Sequence, residues 1–161
     1  MKKTIIAICG ISLLWGYMCV NLITKLQQKI VRERKHTELN NTLYRTMNSW
    51  LMLMQSGKSV TDYFLEHHFY NVAIYGMGNM GERLHDALVG TNVYVRYGID
   101  KKKENIFTAL PMYTPDEELE KVDVIVVTAV YYFTEIKQEL CNKVECPIVS
   151  VEEIIEKVMR M

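Results

Sequence analysis

Three glycines in the spacing G-x-G-x-x-G stand within Gly76-Met77-Gly78-Asn79-Met80-Gly81. The chemistry open to them is main-chain recognition of phosphate. Gly76 permits a tight turn, Gly78 lets a pyrophosphate approach the backbone, and Gly81 lets a helix pack close to a strand. The unpaired N–H groups at a helix start then point at the anion. Such a motif has meaning only between a strand and a helix. Here the apolar run Val72-Ala73-Ile74-Tyr75 precedes it, as a buried strand would. Met80, Leu84 and Leu88 follow at intervals of four, which is one face of a helix. The alternative reading is a glycine turn that binds nothing.

Asp100 lies about 20 residues beyond the glycines, where a dinucleotide fold places the acid that takes the ribose hydroxyls. An aspartate there favours NAD over NADP by repelling a 2′-phosphate. Lys101, Lys102 and Lys103 follow directly and weaken that preference, although a solvated loop is their simpler role. For Asp100 itself the alternative is a turn residue. Thr128, Ala129 and Val130 stand at the end of the strongest strand-forming run of the chain and would form the other wall of a ligand site. Arg83, in the first turn after the glycines, could reach a phosphate or simply be exposed.

Other chemistries lack their residues. Tyr131, Tyr132 and Lys137 do not make a Y-x-x-x-K pair, and no serine sits in a nucleophile elbow. No Walker lysine follows the glycines. Glu117-Glu118 and Glu152-Glu153 fall where helices start and favour the helix dipole there. His36, His67, His68 and His85 lack zinc spacing, so no metal site is expected. Cys9, Cys19, Cys141 and Cys146 include no C-x-x-C and read as reduced thiols. Nineteen basic and nineteen acidic residues leave the 161-residue chain with no net charge, which removes the electrostatic argument for nucleic acid.

The elements that would position these residues alternate. Val93 to Ile99 reads as a second strand after a helix capped at Gly90, and Leu110 to Tyr113 as a short third. Thr114-Pro115-Asp116-Glu117 has the N-cap and first-turn proline of a short helix. Val122 to Thr128 is a β-branched run suited to the centre of a parallel sheet. A helix over Phe133–Val144, a strand over Pro147–Ser150 and a helix over Val151–Met159 complete the unit. Right-handed crossovers then predict an α/β fold, a doubly wound parallel sheet of about five strands in the order 3-2-1-4-5. Its switch point lies between the first and fourth strands, beside the glycines.

Ahead of this domain (70–161) two segments are expected. Thr4 to Thr24 carries no charge and spans ~31 Å as a helix, against about 30 Å of hydrocarbon. With no small-x-small cleavage site near its end, residues 1–25 read as a retained transmembrane anchor. Lys2 and Lys3 precede it, and Lys25, Lys29, Arg32, Arg34 and Lys35 follow, so the remainder should face the cytoplasm from a single-pass membrane position. Residues 26–69 read as a helical connector. Leu39, Leu43, Met47, Leu51 and Met54 form its stripe, with Trp50 beside it, and must be buried on the domain or on a second copy. Ser59-Val60-Thr61-Asp62 is a capping box opening a helix to about His67.

At Ile74-Tyr75-Gly76-Met77-Gly78-Asn79-Met80-Gly81, Tyr97-Gly98-Ile99-Asp100, Pro111-Met112-Tyr113 and Asp123 to Thr128, the chain resembles small Rossmann-like domains encoded among bacterial surface-polysaccharide genes, alone or fused to glycosyltransferases. It is also similar to the sugar-nucleotide-binding domains of some sugar acetyltransferases. The resemblance runs from about Trp50 to the C-terminus. It implies binding of NAD(H) or a nucleotide-sugar and a glycosyltransferase partner through the connector, whose apolar stripe alternatively allows a homodimer. No acetyltransferase repeat is present, so that activity does not carry over.

Three functions remain open. The first is an accessory or regulatory nucleotide-binding domain for surface polysaccharide synthesis, held at the membrane. The second is a small NAD-dependent oxidoreductase or epimerase that completes its site by dimerising. The third is a scaffold with an empty loop, acting through the connector helix.

Overall fold

The structure, a computed structural model, describes the backbone of residues 2–161 and the side-chain surroundings of 15 and 17–161. The chain divides into two compact units, Met1–Asn41 and Thr42–Met161. The first is helical throughout its described length, the leading part of α1 (Lys2–Gln55). Trp15, Leu22, Leu26 and Ile30 are exposed, and Leu39 is half-buried. Among the described residues no helix is long and apolar enough to cross a membrane. The side chains of 4–14, which form the first half of the expected anchor, lie outside the described residues.

The second unit is the α/β fold. Its elements are the end of α1, then α2 (Val60–Glu66), β1 (Asn71–Tyr75), α3 (Asn79–Leu88), β2 (Tyr94–Ile99), β3 (Met112–Tyr113), β4 (Val124–Val127), α4 (Phe133–Leu140), β5 (Ile148–Ser150) and α5 (Val151–Arg160). All five strands are parallel, in the order β3-β2-β1-β4-β5. This is the doubly wound arrangement expected from the alternation of elements. One face of the sheet packs Val72, Ile74, Val124 and Val126 against Leu84 and Leu88 of α3 and Ile154 and Val158 of α5. The other packs Ala73, Tyr75, Ile125 and Val127 against Ile136 and Leu140 of α4. The crossover thus changes face between β1 and β4, which opens a crevice at their carboxyl ends.

The helix starts follow local chemistry. The Ser59–Asp62 capping box forms, with Asp62 Oδ2 accepting from the Ser59 N–H at 3.0 Å. Ser150 caps α5 by accepting from Glu153 N–H at 3.0 Å. The helix expected at Thr114 does not form. Glu117 folds back to accept the Thr114 N–H and also holds Lys103 at 2.6 Å, so the segment closes as a single turn.

The connector stripe is also assigned differently. Thr46, Trp50 and Leu53 of α1 are buried in the core of the second unit, with Leu43 half-buried beside them. Met47, Leu51 and Met54, expected to be buried on the domain or on a second copy, are exposed in the single chain. The compact unit therefore reaches back to Thr42.

Asp123, just before β4, joins two strands that are remote in sequence. Its Oδ2 accepts the N–H of Asn71 at 2.7 Å and of Tyr70 at 2.8 Å. The Asn71 N–H, and then that of Tyr70, hold the carboxyl below its ordinary value of 3.8. This stabilisation is complete above the ordinary value and is lost as the pH falls through the depressed folded one. Asp123→Ala is expected to lower stability at pH 7 by about 1 kcal/mol after solvent screening. In urea titrations the gap to the unsubstituted chain should close as the solution is acidified. A gap independent of pH would remove the carboxylate from the account.

Candidate functional site

β1 ends at Tyr75, and the chain turns at Gly76 with φ +94, a conformation that L side chains rarely adopt. Its N–H donates to Ile99 of β2 at 2.8 Å. Its carbonyl accepts the Thr128 hydroxyl, which also donates to the Tyr75 carbonyl at 3.2 Å. Thr128, expected to face the ligand, is buried and clamps the turn from the end of β4. A Cβ on Gly76 would meet Thr128 Oγ1 at 2.9 Å and Ala129 N at 3.3 Å, so Ala129 closes the turn from the same side.

Met77 is buried and packs towards Gly98 of β2, leaving only its main chain near the loop. Gly78 is the N-cap of α3, with no side-chain cap and nothing within 4 Å of where its Cβ would be. Asn79 is exposed beside it, whereas Met80 turns inward to the core. Gly81 lies against the Gly76 carbonyl and Ile74, the close helix–strand approach expected of the third glycine. The first turn of α3 thus presents an uncapped amide end over an open glycine. Helix starts of this kind carry unsatisfied N–H groups and a partial positive charge.

Asp100 directly follows β2, half-buried, and Thr128 directly follows β4, the strands on either side of β1. Asp100 Oδ1 accepts the Lys102 N–H at 2.9 Å, so it shapes the following turn. Lys101 pairs with Glu139 at 2.9 Å and Lys103 with Glu117 at 2.6 Å. Arg83 does not approach the loop. It bonds Asp86 at 3.2 Å and Glu82 at 3.5 Å along α3. On the α4 face the Tyr75 hydroxyl is buried without a side-chain or main-chain partner. Burial pushes this phenol up to about 12, and the carboxylates of Glu139, Asp100 and Asp116 add to the shift. Among the described residues no cluster of His, Cys, Asp and Glu is arranged to hold a metal ion.

A cavity of about 630 Å³ opens elsewhere, between the end of α1 and the outer side of α3. It is lined by Tyr44, Met47, Leu51 and Met54 with Arg83, Asp86 and Ala87. The sequence signalled it only through Met47, Leu51 and Met54, members of the stripe to be buried on the domain or on a second copy.

Fold and loop together define a doubly wound α/β domain with a clamped glycine turn at its switch point. No family model, curated protein or solved structure matches the chain.

Proposed function

We propose that the turn from Gly76 to Gly81 binds the phosphates of a nucleotide, NAD(H) or a nucleotide-sugar. The observation that carries this reading is Gly78: an open glycine at an uncapped helix start, between two glycines fixed by packing. Main-chain N–H groups there suit a diphosphate, and an acid just past the second strand, here Asp100, is what a dinucleotide fold uses for ribose hydroxyls. The uncharged run Thr4–Thr24 and its basic flank support a membrane anchor with the domain on the cytoplasmic side. With the motif resemblance, these features support an accessory or regulatory role in surface-polysaccharide synthesis.

The test is a thermal-shift panel of NAD, NADP, UDP-, GDP- and CMP-sugars, CoA and ATP on the unsubstituted protein and on Gly78→Leu. A ligand at about 100 times its Kd should stabilise the former by about 2.7 kcal/mol. Gly78→Leu, entering open space, should keep its own Tm within a few degrees and lose the response. No response from the unsubstituted protein, or an equal one from Gly78→Leu, would refute the reading.

A further inference from the structure

Between Thr42 and Gln55, α1 has two apolar faces, and the domain covers one. Trp50 and Leu53 are 6% and 0% exposed, while Tyr44 is 72%, Met47 41%, Leu51 53% and Met54 62% exposed. The exposed four follow a 3-4-3 spacing. That is the a/d count of a helix that meets another helix along a seam. They line the cavity bounded by Arg83, Asp86 and Ala87 of α3. Contiguous apolar surface of this kind marks an interaction face.

We propose that a second copy of this chain covers it, α1 seam against α1 seam. The groove's charges select that occupant. Arg83 and Asp86 are both more than half exposed and sit one turn apart on α3. In a two-fold interface each surface meets itself. Arg83 and Asp86 already pair at 3.2 Å within one copy, so this rim is neutral, and across the two-fold each copy's Arg83 can exchange to the other's Asp86 with no charge left unmatched. A strongly acidic or basic partner would bring a like charge against one of them. The same count, carried back along the sequence, passes the polar Glu33, Thr37 and Asn40 and reaches Ile30, Leu26 and Ile23, which are also exposed. This proposal stands apart from the nucleotide reading, since no seam residue belongs to the glycine turn.

The test is in-cell cross-linking of the full chain with a short bis-maleimide, its four cysteines replaced by serine. Leu51→Cys and Met54→Cys should form an adduct at twice the 18.8 kDa chain mass, and Lys121→Cys, 93% exposed elsewhere, should form none. Arg83→Asp should abolish the Met54→Cys adduct, and adding Asp86→Arg should restore it. Both substitutions lie on exposed positions, and unchanged circular dichroism verifies folding. Monomer alone, an adduct of another size, or failure of the double charge swap would overturn the proposal.

Discussion

Gly81→Ala is expected to lower the stability of the second unit by about 3 kcal/mol, a fall in Tm of roughly 10 °C. The added methyl would fall inside the contact radius of the Gly76 carbonyl oxygen and 3.1 Å from its carbon. Neither atom can yield. The Gly76 N–H is held by Ile99 at 2.8 Å, and its carbonyl is held by Thr128. α3 must therefore move off β1 and loosen Leu84 and Leu88, which are 0% and 2% exposed. Gly78→Ala places the same methyl three residues earlier in open space. There only a weaker N-cap residue is at issue, worth at most about 1 kcal/mol. Thermal scans of the two variants side by side measure the contrast. Equal Tm values would mean that Gly81 does not hold α3 against the strand.

Removal of residues up to Gln55 is expected to unfold the α/β unit, although every strand remains. The deletion takes away Leu53 and Trp50 from a core shared with Val60, Phe64, Leu84 and Ile154. Two large buried side chains are worth about 1.5–3 kcal/mol each in transfer alone, and an open cavity adds to the loss. The total approaches about 5 kcal/mol, against a typical domain stability of 5–15 kcal/mol. A fragment 42–161 retains both side chains and should unfold cooperatively. Its sole tryptophan, Trp50, is a built-in probe of this packing: its emission should be blue-shifted when folded and red-shifted in denaturant. A fragment 56–161 that matches the Tm of 42–161 by circular dichroism would contradict the packing of α1 into the domain.

These two results divide along what the sequence could disclose. The β-branched run Val124–Val127, the glycine turn and the Met80–Leu84–Leu88 face are local patterns, and they predict strand, turn and helix where the structure has them. Alternation of elements then predicts the sheet order. The buried face of α1 was not legible, because Leu51, Met52, Leu53 and Met54 are all apolar and leave that turn without a polar side. Thr46 is in the core because its hydroxyl bonds back to the Thr42 carbonyl at 3.0 Å, a choice that hydropathy does not register. The clamp made by Thr128 was not legible either, since its hydroxyl is used by two carbonyls of a turn more than fifty residues earlier. The bonds Asp123 makes were not legible, because its partners Tyr70 and Asn71 lie 53 and 52 residues away. The helix expected at Thr114 failed because Glu117 is shared with Lys103, 14 residues away. The misses are thus side chains whose partners are remote, or faces chosen only by packing.

The most direct measurement is an amide ¹H–¹⁵N titration of fragment 42–161 with NADH and, separately, with a UDP-sugar. Phosphate recognition at the start of α3 predicts that the amides of Gly78, Asn79 and Met80 shift first and furthest with one of these ligands, while those of Ile136 and Leu140 on α4 stay in place. Shifts confined to the groove of Tyr44, Met47 and Ala87, or no shifts with either ligand, would contradict a nucleotide site at the glycine turn.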